Sequence, residues 1–232
     1  MILSAHQPQY LPWLGYFDKI LKSDLFVFLD CVQYKKREFQ NRNKIRTPQG
    51  PHWLTVPVVT KGRYTQLVHE VAVDNGTPWA EDHWKALKAN YTKAPFFNAY
   101  APFFQKTYET HWERLSDLNI HLIRFLLQCF EIQTPLAMES EVGTENKSTD
   151  RLIELAVKLK ASAYLSGVGG KDYLEEEKFK TVGLRLAYQD FRHPTYPQLF
   201  MKSPEDFLPA LSAVDLLFNH GPKAKEILRG HV

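Results

Sequence analysis

The sequence predicts an α/β fold, a mostly parallel sheet with flanking helices and a helical insertion. Three observations carry this reading. Short apolar runs alternate with amphipathic stretches near both ends of the chain, the pattern of strands joined by crossover helices. The middle of the chain changes to apolar spacings of three and four residues. Polar or glycine-rich turns follow the apolar runs, and open α/β sheets bind ligands beyond the carboxyl ends of their strands. The chain divides accordingly into a first α/β half over 1–78, a helical insertion over 79–135 and a second α/β half over 136–232, in one compact unit.

Ile2 to Ala5 reads as the first strand, and His6 to Gly15 as a turn stiffened by Pro8 and Pro12. Helix follows from Tyr16 to Lys22, its buried face carried by Leu14, Phe17, Ile20 and Leu21. Leu25 to Asp30 is a second strand ending in a carboxylate, followed by a polar segment from Gln33 to Lys44. Trp53 to Val59 and Leu67 to Val73 read as strands joined by a polar connection. Helices fill Trp79 to Ile132, with a turn at Lys93 to Pro102. The second half holds a helix from Arg151 to Leu159 capped by Ser148-Thr149-Asp150, and a strand from Ala163 to Ser166. A turn at Gly167 to Gly170, a short helix from Asp172 to Phe179, a strand from Leu184 to Tyr188 and a helix from Ala210 to Phe218 complete it.

Composition bounds the partners. With 44% hydrophobic and 24% charged residues, the 232-residue chain has the make-up of a globular protein. Its 29 basic and 26 acidic side chains balance too closely to indicate a nucleic-acid partner, so any basic site must be local. Cys31 and Cys129 offer neither zinc-ligand spacing nor a disulfide framework, which points to a reduced, cytoplasmic setting. The start lacks the features of a signal peptide, and no run approaches the roughly 18 apolar residues of a membrane span.

His6, at the end of the first strand, is the leading candidate for catalysis or phosphate contact. Asp30 holds the matching place after the second strand, where it could orient His6 or a substrate amine, or cap its own turn. Gln33, Arg37, Gln40, Asn41, Arg42 and Lys44 mix amides with cations, a set suited to phosphate and sugar hydroxyls. Gln7, Tyr10 and Trp13 could line the pocket. Ser166, Gly167, Gly169 and Gly170 could offer backbone amides to the phosphates of a nucleotide. Gln198 and Asn219 could read a polar edge of the substrate, or Asn219 could end a helix. His193 and His220 lack partners at metal spacing, and no metal is expected.

Residues along nearly the whole chain resemble the WbqC-like protein family. They are Ala5-His6-Gln7-Pro8-Gln9-Tyr10-Leu11-Pro12-Trp13-Leu14-Gly15-Tyr16-Phe17, Gln40-Asn41-Arg42-Asn43 with Trp53-Leu54-Thr55-Val56-Pro57, and Tyr164-Leu165-Ser166-Gly167 with Tyr173-Leu174. Tyr196-Pro197-Gln198 and Asp215-Leu216-Leu217-Phe218-Asn219-His220-Gly221 complete the set. The resemblance implies a place in building O-antigen and other bacterial surface polysaccharides, through transfer of an amino acid such as glycine onto an amino sugar. The opening strand, histidine turn and helix are also similar to HUP-type nucleotidyltransferases and the pantothenate synthetase group, which bind ATP with an H-x-G-H or H-x-x-H turn. Three residues after His6 this chain has Gln9 instead of a second histidine.

Together these readings give an amide-forming ligase or acyltransferase acting on the amine of a nucleotide-linked amino sugar, with a small carboxylate or an activated acyl donor as second substrate. If it runs through an acyl adenylate it consumes ATP-Mg, with His6 and Arg42 or Lys44 stabilising phosphate charge and Asp30 placing the amine. Tyr10 and Trp13 would exclude water. The alternatives are transfer from an external activated donor without ATP, and a non-catalytic scaffold for polysaccharide-assembly enzymes. No tightly bound cofactor, nucleic acid or membrane span is expected.

Overall fold

The computed structural model describes residues 1–230. In chain order the strands are β1 (Ile2–His6), β2 (Leu25–Phe28), β3 (Arg42–Thr47), β4 (Gly50–Thr55), β5 (Leu136–Met138), β6 (Ala163–Ser166) and β7 (Arg185–Tyr188). Five of them make one parallel sheet in the order β5-β2-β1-β6-β7, and β3 with β4 forms an antiparallel hairpin. The sheet grows outward from β1 through β2 to β5, then returns to the other side of β1 for β6 and β7. This is a doubly wound, Rossmann-like α/β arrangement, with its order reversing between β1 and β6.

The helices are α1 (Leu14–Leu21), α2 (Trp79–Tyr91), α3 (Phe97–Glu109), α4 (Leu115–Cys129), α5 (Glu139–Val142), α6 (Ser148–Lys158), α7 (Glu176–Thr181), α8 (Val214–His220) and α9 (Ala224–Leu228). Strand alternation sorts side chains between two cores, because successive residues of a strand face opposite sides. Leu3, Ala5 and Val27 join Leu152, Leu155 and Phe179 of α6 and α7. Phe26 and Phe28 join the larger core, which takes Phe17 and Ile20 from α1, Leu122 and Leu126 from α4, and Leu217 and Phe218 from α8. His6 therefore lies on the α1 side of the sheet, where its ring meets Tyr16 edge-on at 5.3 Å.

Arg42–Thr47, whose first three residues read from sequence as the end of the polar segment, is a strand because β4 pairs with all of it, from Arg42↔Thr55 to Thr47↔Gly50. Asn43 and Ile45 point inward while Arg42 and Lys44 stay half-exposed. The strand expected over Leu67–Val73 is instead a single 3-10 turn at Val68–Glu70 flanked by isolated bridges. The Glu70 carboxylate accepts the Leu67 N–H at 2.7 Å, which closes the turn while Val68, Val71 and Val73 still reach the core. Among the described residues, no helix is long and apolar enough to cross a membrane.

Candidate functional site

The carboxyl rim between β1 and β6 is where this topology leaves a crevice for ligands. The β1–β6 pairing ends at Ser4↔Leu165, two residues before His6 on β1 and two before Gly167 just past β6, so both stand at the same end of the sheet. Around Gly167 and Gly169 the space a β-carbon would occupy is open, so their backbone is accessible at the rim. Gly170 is different. A β-carbon there would stand 2.0 Å from Ser166 Oγ, so the glycine lets the turn close onto the strand. The amino end of α1 arrives at the same rim, since α1 follows β1 through the turn.

Beneath the rim lies a residue that sequence reading passed over. Lys19 is 3% exposed, and its Nζ donates to the Ala5 carbonyl at 3.1 Å. No carboxylate lies within ion-pair distance of it among the described residues. Its neighbour Asp18 is committed elsewhere, accepting Gln189 Nε2 at 2.6 Å and pairing with Lys22 at 3.0 Å. Burial without a counter-charge pulls the Lys19 ammonium down to about 7. Burial, helped by the charge on Lys19, holds the His6 imidazole down to about 3. His6 is thus neutral at pH 7, so it offers hydrogen bonds, and the cation at this rim is Lys19. Sequence pattern does not single it out, because every residue of α1 from Leu14 to Ile20 is buried and only the placement of the helix over the sheet decides that.

Trp13 closes one side of the rim. Its ring meets Phe191 edge-on at 5.4 Å and stacks on His193 at 6.5 Å. A β-carbon on Gly15 would stand 2.3 Å from the Trp13 ring, which those neighbours hold in place. Gly15→Ala is therefore expected to displace the indole and cost about 1–3 kcal/mol as overpacking does. Denaturant titration with tryptophan fluorescence checks this; an unchanged spectrum and midpoint would show that the ring has room to move.

The segment 39–43 is tied to the histidine turn by three links. Tyr10 N–H donates to the Phe39 carbonyl at 3.1 Å, and Asn43 Nδ2 donates to the Leu11 carbonyl at 2.6 Å. Asn119 Nδ2 of α4 bridges the carbonyls of Pro8, at 3.1 Å, and Gln40, at 2.8 Å. The individual side chains then divide. Gln7 is half-buried, with its carbonyl receiving the Tyr16 hydroxyl at 3.1 Å. Arg42 and Lys44 lie over the exposed Trp53 ring, at 4.4 and 5.6 Å from its centre. Arg37 is an exposed turn residue with φ 64° whose carbonyl accepts Arg42, and Gln33 donates to the Tyr64 carbonyl at 2.9 Å.

Several expected site residues prove to be internal fasteners. Tyr10 is fully buried, with its hydroxyl 2.8 Å from His83 Nδ1 and 2.6 Å from the Tyr108 hydroxyl, so it fills core and walls no pocket. The Asp30 carboxylate accepts both the Ser140 N–H, at 2.9 Å, and the Ser140 hydroxyl, at 2.6 Å, which commits it to starting α5 instead of orienting His6. Gln40 and Asn41 are buried, Asn41 donating to the Val56 carbonyl at 2.8 Å. Asn219 donates to the Asp215 carbonyl one turn back in α8, at 2.7 Å. Gln198 joins a buried network in which it accepts Arg46 Nη1 at 2.9 Å and donates to Asp215 at 2.8 Å, while the Tyr91 hydroxyl donates to Asp215 at 2.9 Å.

Asp30, Cys31 and His69 each set one possible metal ligand within 4.8 Å of the others. His69 Nδ1 lies 2.9 Å from the Asp30 carbonyl and Cys31 Sγ donates to Asp30 Oδ1 at 3.7 Å, so all three are already engaged in the fold's own hydrogen bonds. The grooves of about 400 and 330 Å³ lie apart from the rim, lined by Arg63, Gln66 and Arg114 and by Trp84, Lys88 and Tyr108 among others. At the rim itself the constellation is a buried, unpaired amine, a neutral imidazole and open backbone at a glycine turn. Such a set can take an anion and place a neighbouring group beside it.

Comparison with known proteins agrees with this geometry in its extent. The chain is 39% identical over 225 residues to the uncharacterized protein Rv1507c of Mycobacterium tuberculosis (strain ATCC 25618 / H37Rv), covering 96% of this chain and 95% of that one. No solved structure matches it. A profile of the WbqC-like protein family matches residues 7–227, from the histidine turn through α9, and the chain belongs to that family.

Proposed function

We propose that this protein forms an amide between a small carboxylate, glycine being the simplest, and the amine of a nucleotide-linked amino sugar, at the rim between β1 and β6. Membership of the WbqC-like family suggests involvement in polysaccharide biosynthesis. The observation that carries the proposal is Lys19, a buried amine with no carboxylate partner beside His6 at the sheet's reversal point. An isolated buried charge is costly, and a bound anion removes that cost. Phosphate oxygens of the substrate would take the Lys19 ammonium and the amides of the Gly167–Gly170 turn and of α1. In this arrangement Lys19 replaces Arg42 and Lys44, which lie on Trp53.

In the bond-forming step the sugar amine attacks the acyl carbonyl, the C–N bond forms, and the activating group leaves with its electron pair. The amine proton goes to a base, for which the neutral His6 imidazole is placed once a bound anion offsets its lowered basicity. Trp13 shields the activated acyl group from water. Gln9, standing where an H-x-x-H turn has its second histidine, favours a donor activated elsewhere over ATP chemistry on this chain.

Ligand-induced thermal stabilisation decides between the two routes. A nucleotide-linked amino sugar at 100 times its dissociation constant is expected to stabilise the protein by about 2.7 kcal/mol, and His6→Ala to remove most of that gain. Equal stabilisation by ATP-Mg alone, also lost in His6→Ala, would establish the adenylating ligase instead. Silence from both ligands would count against the rim as a nucleotide-sugar site.

A further inference from the structure

Charge is distributed very unevenly along this chain. Residues 35–64 hold eight Lys and Arg side chains (Lys35, Lys36, Arg37, Arg42, Lys44, Arg46, Lys61 and Arg63) and one acid, Glu38, while the whole chain has a net charge of only +3. Arg46 is buried; Lys35, Lys36, Arg37, Lys61 and Arg63 are exposed, and Arg42 and Lys44 half-exposed. Three large aromatics stand among these cations: Phe39 at 37%, Trp53 at 41% and Tyr64 at 75% exposure. The contacts form two clusters, joined by the chain from Lys36 to Phe39. Lys36 Nζ lies 5.8 Å from the Tyr64 ring centre, Arg42 and Lys44 cover Trp53, and Phe39 leans on Trp53 at 5.9 Å. Arg63, next to Tyr64, opens into the groove of about 400 Å³ that it lines with Thr65, Gln66, Glu70 and Arg114. Gln66 Oε1 there is buried without a hydrogen-bond donor.

We propose that this basic, aromatic surface docks the protein on an anionic phospholipid bilayer, with a hydroxylated phosphate headgroup seated in the Arg63–Arg114 groove. Cations beside a bilayer gain from its negative surface potential, and aromatic rings with a wet edge are favoured at headgroup depth. The arginines suit the headgroup phosphate, and a glycerol-type hydroxyl supplies the donor that Gln66 Oε1 lacks. Nucleic acid fits this surface less well. A base needs a free ring face to stack on, whereas Trp53 already has two cations over it and Tyr64 has one. The surface excludes His6, Lys19 and the glycine turn, so docking holds whether or not the chain forms an amide.

Flotation with vesicles tests this on the full chain. Phosphatidylglycerol-containing vesicles are expected to carry the protein up a density gradient at low salt and less so at physiological salt, while pure phosphatidylcholine vesicles leave it behind. Lys35→Gln/Lys36→Gln/Lys61→Gln should weaken partition about a hundredfold, from roughly fivefold per juxtamembrane cation. Gln66→Leu should remove a preference for phosphatidylglycerol over phosphatidylserine vesicles of equal charge. Melting curves of both variants confirm that they fold. Partition that ignores the triple substitution, equal flotation with uncharged vesicles, or displacement by inorganic phosphate alone would overturn docking. So would tighter binding of single-stranded RNA lost in the same triple variant, which would reassign the surface to nucleic acid.

Discussion

Lys19→Met is expected to cut product formation by at least a hundredfold while making the protein more stable at neutral pH. The variant keeps the length and apolar stem of the side chain and removes the buried charge. The folded ammonium is lowered to about 7, against about 10.4 for an unfolded lysine. Between those two pH values the unfolded chain binds more protons, so wild-type stability climbs with pH across that window, and below pH 7 the burial cost is felt in full. The gain from Lys19→Met should therefore be a few kcal/mol at pH 6, and fade towards zero near pH 10. Urea titrations of both proteins at pH 6, 7.5 and 9 measure it. A gain independent of pH, or a loss, would mean that Lys19 is paired in solution. Anion binding to wild type should weaken about tenfold for each pH unit above 7, since the bound form takes up a proton there.

Asp215→Ala is expected to lower stability by about 3–5 kcal/mol at pH 5, where the carboxyl is mostly neutral, because its loss leaves the buried donors of Tyr91, Tyr196 and Gln198 without an acceptor. For a chain of this size that corresponds to a fall in melting temperature on the order of 10 °C. The carboxyl is fully buried, and burial raises it to about 6 in spite of donors from Tyr91, Tyr196 and Gln198. Because its folded value lies above the unfolded one, its contribution is complete below pH 4 and diminishes as pH rises through 6. The penalty of the alanine variant should accordingly be smaller at pH 7.5 than at pH 5. A penalty below 1 kcal/mol at both would show that water replaces the carboxylate. His6→Ala under the same conditions should leave stability nearly intact, which separates the two histidine-turn and network roles.

The contrast between those residues explains what could be read in advance. Strands β1, β2, β6 and β7 were legible because each is a short apolar run bounded by turn residues. Strand β3 was not, since Arg-Asn-Lys-Ile-Arg-Thr becomes extended only through its pairing with β4, a tertiary effect that local pattern does not carry. The three-residue edge strand β5 is too short to show a period. Among the polar residues, type gave no guide to depth. Gln198 and Asn219 have the chemistry of ligand readers and are consumed by Arg46, Leu208 and Asp215 instead. Gly221 completes the same stretch at φ 54°, with the Phe96 ring 2.3 Å from where a β-carbon would stand. Lys19 failed in the opposite direction: beside Asp18 on a short helix it has the look of a solvent-facing ion pair. Only the position of α1 over the sheet turns it inward.

The order of strands also fixes the order in which the chain can be completed during synthesis. β1 gains one neighbour after some 20 residues but its second, β6, only when the chain reaches Ala163. Until then a nascent chain that has already folded β1, β2 and β5 carries its central strand as an open edge, with the apolar face of Leu3 and Ala5 uncovered by α6 and α7. Such an edge is a template for pairing with another chain. The last third of the sequence thus covers the centre of the sheet, and elongation past residue 188 leaves only the short strands β5 and β7 at its edges.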